Sequence, residues 1–268
     1  MAPFSAAPPT DSIDRLAPAG RPAGRPVGYQ SWRDLAFLHW RVEPDVVRNT
    51  LPAGLELDTY DGAAWIGLVP FLMTGVRPAW APAVPGVSTF PETNVRTYVT
   101  CTNADGVREP GVLFYSLDAA KWLAVAIART AWRLPYYRAA MAVTRDGDKT
   151  IYESRRLWPG PRGAGGRIEV AAIGPAAAAE PGTLEHFLAE RYLLFAPGRG
   201  RNGRGRILRG QVHHAPYPLR PARVDRCEDS LVAAAGFAGL SGSGLNAGRP
   251  PDHALFSDGV DVEIFPLL

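Results

Sequence analysis

Short stretches in which apolar and polar residues alternate run along most of this chain, and only a few segments repeat at helical spacing. Residues 35–42 alternate and end at Glu43-Pro44-Asp45, which predicts a strand followed by a short helix over 45–50. Leu51-Pro52-Ala53-Gly54-Leu55 reads as a turn. Strands over 55–60 and 63–73 meet at Asp61-Gly62, and a Pro-rich loop follows over 78–91. Strands over 93–102 and 111–118 flank Asp105-Gly106. Alanine-rich 119–132 is the best helix, with Trp122, Val125, Ala126 and Arg129 on one spacing. Beyond Pro135 the strand pattern returns: 141–145 and 150–156 flank Asp146-Gly147, a hairpin signal. Residues 168–173, 207–214, 224–229 and 260–265 complete the strands, with a short helix over 184–191 after Thr183. Strands joined by hairpin turns, with so few helices, imply a mainly β, mostly antiparallel sheet closed or folded on itself.

Composition bounds this picture without changing it. The chain has 268 residues, 46% of them hydrophobic and 21% charged, enough to bury a sizeable core. Residues 1–28 are rich in Pro, Ala and Gly and are expected to be a disordered leader, with a single domain over 29–268. No apolar run approaches the roughly 20 residues of a membrane span, and no signal-peptide core is present, so no membrane partner is expected. Cys101 and Cys227 are isolated, which fits a reducing cytoplasm.

Of the 29 basic residues only Lys121 and Lys149 are lysines. The Arg-Gly run over 199–209 reads as a solvated hairpin tip, because it lacks the aromatic residues on which bases stack, so no nucleic-acid partner is expected. The histidines and cysteines lack metal-ligand spacing, and neither a phosphate loop nor a dinucleotide fingerprint is present. No metal and no cofactor are expected.

Several motifs occur in a fixed order from about Tyr29 to the C-terminus. Among them are Phe37-Leu38-His39-Trp40, Leu51-Pro52-Ala53-Gly54-Leu55, Tyr60-Asp61-Gly62 and Val69-Pro70-Phe71. Glu92-Thr93-Asn94-Val95-Arg96-Thr97-Tyr98-Val99 and Ser116-Leu117-Asp118 follow. Leu134-Pro135-Tyr136-Tyr137, Glu190-Arg191-Tyr192 and His214-Ala215-Pro216-Tyr217-Pro218-Leu219 close the series. Together they resemble the YqjF-like family of unknown function, a branch of the acetoacetate decarboxylase-like superfamily. The resemblance implies a cone-like antiparallel β-barrel with a central cavity, and it implies no settled activity. It also implies that Glu92 occupies the superfamily's acidic active-site position. The segment that carries paired catalytic lysines in the superfamily, after an Arg and a Pro, holds Tyr136 and Tyr137 here. A phenol cannot form an imine with a carbonyl substrate, so the scaffold is retained and its best-known chemistry is not.

The candidate residues each admit two readings. Glu92 in an apolar cone would have a raised pKa suited to proton transfer, or it would pair with Arg96 or Arg129 to hold its strand. Arg96 and Arg129, among apolar neighbours, would hold a substrate carboxylate, enolate or phenolate, or pair internally with Asp118 or Glu190. Tyr136 and Tyr137 should face opposite ways on an extended chain. The inward one would serve acid/base chemistry if a guanidinium acidifies it; packing is the other reading. His214 stands beside a Pro-Tyr-Pro turn where it could face the cavity. The function expected is a cofactor-independent enzyme acting on a small or medium hydrophobic carbonyl or carboxylic acid, by lyase- or cyclase-type proton transfer. The alternative is a non-catalytic binding protein for an apolar acid. The partner in both is a small-molecule carbonyl or carboxylate, and self-assembly into a homo-oligomer is compatible with the superfamily.

Overall fold

The computed structural model describes residues 13–122, 134–199, 205–237 and 250–268. Twelve strands follow in chain order. β1 is Gly28–Val42, β2 Glu56–Leu57, β3 Ala64–Pro78, β4 Phe90–Thr102, β5 Arg108–Ala119 and β6 Tyr136–Asp146. β7 is Lys149–Trp158, β8 Gly165–Ala172, β9 Leu193–Arg199, β10 Gly205–His213, β11 Leu219–Asp229 and β12 His253–Ile264. Two short α-helices are described, α1 (Pro44–Arg48) and α2 (Leu184–Ala189). Thr183 caps α2 by accepting from the His186 N–H, as its place before the apolar run predicts. The turn pair at Asp146-Gly147 closes β6 onto β7, with Asp146 opposite Lys149 and Gly147 at φ 61°. No described helix is long and apolar enough to cross a membrane.

Strand pairing closes the sheet on itself. β1, β3, β4, β5, β6, β7, β8, β11 and β12 form a nine-strand barrel, sealed where β4 pairs with β5. β9 pairs with β5, and β10 with both β9 and β12. A second, smaller circuit therefore runs through β5, β9, β10, β12, β1, β3 and β4. The two rings share the wall β12-β1-β3-β4-β5, whose alternate side chains enter opposite interiors. Ala36, Leu38, Trp40, Ile66, Leu68 and Val95 face the nine-strand side, where they pack with Ile168, Val170 and Phe256. Leu35, Phe37, Val69 and Phe71 face the smaller ring, with Val212 and Tyr217. Gly111 admits β9 to this wall: a Cβ there would lie 2.7 Å from the Leu193 carbonyl oxygen.

The barrel is mostly antiparallel, as expected, with two parallel seams at β5–β6 and β5–β9. A parallel neighbour requires the chain to cross back to the strand's starting end, and the connection from Ala119 to Tyr136 is long enough to do so. The helix expected over 119–132 begins too early, since Ala119 still belongs to β5, and residues 123–133 lie outside the described residues.

Residues 13–27, expected as part of a disordered leader, instead lie against the barrel. Arg15 grips the buried Asp58 with two hydrogen bonds of 2.5 and 2.6 Å, and Arg191 reaches the same carboxylate at 2.9 Å. Arg21 pairs with Glu263, and Val27 donates to the Ile264 carbonyl. Arginine–carboxylate pairs and hydrogen bonds to the arm's own carbonyls, as from Gln211 to Pro18, hold it, and a composition argument passes over both. Arg15→Ala should therefore lower stability by roughly 1–3 kcal/mol, read as a lower unfolding temperature. An unchanged transition would show that the arm is not structural.

Candidate functional site

β4 enters the smaller ring with a polar stripe. Glu92, Asn94 and Arg96 alternate with Thr93 and Val95, and their cross-strand neighbours Phe71, Val69 and Gly67 share their face. All three are buried, and each carries an atom without a hydrogen-bond partner: Glu92 Oε2, Asn94 Oδ1 and Arg96 Nε. Buried polar atoms are normally satisfied, so three on one stripe single it out as a candidate site.

Glu92 is 2% exposed. Burial pushes its pKa up to about 8, against a hydrogen bond from Tyr136 that favours the charged form, and the Asp118 carboxylate raises it further. Tyr136 reaches it because β6 runs parallel to β5, with Tyr136 opposite Leu117 and Ala119 opposite Glu92. Burial and then the Glu92 charge hold the Tyr136 phenol well above its usual range. The condition for an acidified phenol is thus not met: at this position the tyrosine is a better hydrogen-bond donor than a base.

Arg96 is 8% exposed and is not paired with Glu92, Asp118 or Glu190, so of its two readings the internal salt bridge is not formed. Asp118 is held by Arg156, while Glu190 accepts from the Tyr192 hydroxyl and the Tyr217 N–H. Arg96 donates to the Leu188 carbonyl on α2 at 2.9 Å, and its guanidinium lies 5.5 and 5.7 Å from the Phe37 and Tyr98 ring centres. Tyr98 donates to the same carbonyl at 2.8 Å and contacts His39 Nε2 at 2.6 Å. Among the described residues no carboxylate neutralises Arg96.

His214 is buried in an aromatic wall, 4.5 Å from the Tyr192 ring centre, 4.6 Å from Tyr217 and 5.7 Å from Trp32. Its Nδ1 lies 2.8 Å from the Ala215 carbonyl, and Nε2 has no partner. Burial lowers its pKa to about 4, so the ring is neutral and the Nδ1 contact leaves the lone pair on Nε2. Trp32 packs on Phe71 and Phe37 on Tyr217, so this wall adjoins the β4 stripe.

Tyr137 points the other way, as strand period requires, and is not brought to Glu92. In the nine-strand interior its ring lies 3.6 Å from the Arg156 guanidinium, which holds Asp118 through hydrogen bonds of 2.7 and 2.6 Å. Nearby Asp229 accepts from the Leu231 N–H, and burial raises its pKa to about 7. An open groove of about 450 Å³ is lined by Ala140, Met141, Ala142, Glu153, Ser154, Arg155 and Gly166. Arg129 lies outside the described residues. No group of three or more His, Cys, Asp or Glu is placed to hold a metal among the described residues.

Asn94, Tyr98, Tyr217 and the Asp118–Arg156 pair were not singled out as site residues from the sequence. Asn94 carried a usable signal, since Glu92, Asn94 and Arg96 place polar groups at every second position of an otherwise apolar strand.

Comparison with known proteins agrees with this architecture. Residues 29–261 match the DUF2071 family, described as an uncharacterized conserved protein. The uncharacterized protein YqjF of Bacillus subtilis (strain 168) is 36% identical over 208 residues, covering 78% of this chain and 81% of that protein. The enduracididine biosynthesis enzyme MppR, solved with pyruvate, superposes with a TM-score of 0.59 at 13% identity, covering 92% of this chain and 91% of that one. Acetoacetate decarboxylase from Legionella pneumophila gives a TM-score of 0.55 at 14% identity, covering 96% and 97%. From sequence match and barrel together, the chain belongs to the DUF2071, YqjF-like family and has the acetoacetate decarboxylase-like fold.

Proposed function

We propose that the chain is a cofactor-independent, lyase- or cyclase-type enzyme that moves protons beside the carbonyl of a hydrophobic carbonyl or carboxylic acid substrate, in a reducing cytoplasm. The observation that carries this reading is the Glu92–Tyr136 pair: a buried carboxyl group that titrates near pH 8, with a tyrosine hydroxyl on one oxygen and nothing on the other. A group with that pKa is mostly neutral at pH 7 yet partly ionised, which suits it to give and take protons.

In the ionised form, Glu92 removes a proton from the carbon next to the substrate carbonyl. The C–H electron pair becomes the C=C bond of an enolate; once Glu92 has taken the proton and is neutral, the Tyr136 hydroxyl turns from it and donates to the enolate oxygen. Glu92 then returns the proton to carbon, or to a leaving hydroxyl in a dehydration. Arg96 supplies the fixed positive charge for a substrate carboxylate. His214 offers Nε2 as an acceptor for a substrate hydroxyl. Tyr137 has no direct part in this scheme and instead covers the Arg156–Asp118 pair.

Solvent-deuterium incorporation beside the carbonyl of oxo acids, followed by proton NMR, tests the scheme. Exchange should require Glu92, while binding without exchange would leave a carrier of apolar acids. No imine should form. Lys149 is tied to Asp225 at 2.9 Å on an exposed hairpin, and Lys121 lies beyond the end of β5. Borohydride reduction with pyruvate or acetoacetate should leave the protein mass unchanged, and a stoichiometric adduct at Lys121 would restore amine chemistry.

A further inference from the structure

Arg96 and Glu92 stand too far apart on β4 to serve the two ends of a very small acid. Four residues of strand separate their Cα atoms by roughly 13 Å. The Arg96 guanidinium is held by the Leu188 carbonyl of α2 and lies between the rings of Phe37 and Tyr98. Glu92 is turned to Tyr136 at the β5–β6 end of the ring. Between the two lies Asn94, whose amide oxygen has no partner.

Arg96 also makes the stronger demand for a ligand. A carboxyl group relieves burial by taking up a proton, but a guanidinium stays charged in any protein. Its Nε is buried without an acceptor, and no described carboxylate compensates it. An anion brought by the ligand completes this site. The stripe is flanked by the packed rings of Phe37, Phe71, Trp32 and Tyr217, which suits the apolar body of a ligand between two polar ends.

We propose that the substrate is an elongated oxo acid whose carboxylate rests on Arg96 and whose ketone lies at Glu92–Tyr136, its chain running along β4 past Asn94. This rests on the proton-transfer reading given above and adds a length and a direction to it. A three-carbon oxo acid carries its carboxylate next to its ketone and cannot meet both groups. A chain with several methylenes between them can, and each buried methylene raises affinity roughly fourfold.

The test uses the full chain and a series of methyl-ketone acids: pyruvate, levulinate, and two homologues with two and four further methylenes. Binding is measured by calorimetry and deuterium exchange beside the ketone by NMR. Affinity and exchange should both rise along the series, by at least about tenfold between pyruvate and the best homologue. Arg96→Met should remove most of that gain without unfolding the chain, since it leaves no carboxylate unpaired. The matching methyl ketones without a carboxylate should bind the parent and the Arg96→Met chain alike. If pyruvate binds and exchanges as well as the longer acids, the length assignment is overturned while the proton-transfer reading stands. A length preference untouched by Arg96→Met would reflect apolar partition alone and would also overturn it. If no acid exchanges, and Glu92→Gln changes nothing, the proton-transfer reading falls as well.

Discussion

Replacing Glu92 by Gln should abolish deuterium exchange while leaving the fold intact, and should make the protein more stable in mild alkali. An amide fills the same space but carries no acid proton, so a loss of roughly 10²–10⁴ in rate is expected for a group acting as acid and base. Stability should move the other way, because Glu92 is not the counter-charge of Arg96 or any other described arginine. Its pKa rises from 4.5 in a free chain to about 8 in the folded one. The folded state thus binds more protons than the unfolded state between those values. The contribution of Glu92 is fully present below pH 4.5 and is lost as pH rises toward and through 8. At about 1.4 kcal/mol per pH unit the loss is at most on the order of 5 kcal/mol, and Glu92→Gln escapes it. Asp229 titrates in an overlapping range, so the difference between parent and variant unfolding curves at pH 5 and pH 9 isolates Glu92. Equal curves with full exchange activity would remove Glu92 from the site.

Arg156→Met should be the most destabilising single change on the opposite side of the wall. Arg156 is 1% exposed and Asp118 0%, and their two hydrogen bonds are enclosed by the Tyr137 ring. Methionine preserves much of the volume but leaves a carboxylate in an apolar interior, which typically costs about 3–5 kcal/mol. Burial already outweighs the arginine and holds the Asp118 pKa above its ordinary value. Without Arg156 it rises further, so the deficit should be largest in alkali and shrink as Asp118 takes up a proton in acid. The double variant Asp118→Leu, Arg156→Met should regain most of the loss, because it removes the charge together with its partner. Urea unfolding at pH 5 and pH 8 reads both effects. A single variant as stable as the parent would show that the pair is incidental.

Much of the barrel was legible because a strand with one buried face alternates, and because Asp-Gly pairs punctuate hairpins. The opposed directions of Tyr136 and Tyr137 followed from the same period. β9 was missed: Leu193-Leu194-Phe195-Ala196-Pro197 is a continuous apolar run ending in proline, without the alternation that identifies a half-buried strand. The parallel seams were missed because pairing between distant strands leaves no local signature. At the site, Glu92 and Arg96 could be singled out by residue type, but their separation could not. Sequence proximity suggested that acid and base would neutralise one another, whereas strand geometry turned each toward a different neighbour. Arg156 is far from Asp118 in the chain, and only closure of the barrel makes them partners.

The wall between the rings is one strand thick, and this bears on how the family's sequences can drift. Glu92 lies opposite Ala119 and Thr93 opposite Asp118, so the two acids hang on opposite sides of one strand pair, a single register step apart. Asp118 already raises the proton affinity of Glu92. A substitution at Arg156 that survives selection for folding would therefore still reset the acid on the far side. The two interiors are chemically separate but inherit each other's mutations, and residues 118 and 156 should change together with 92 or not at all.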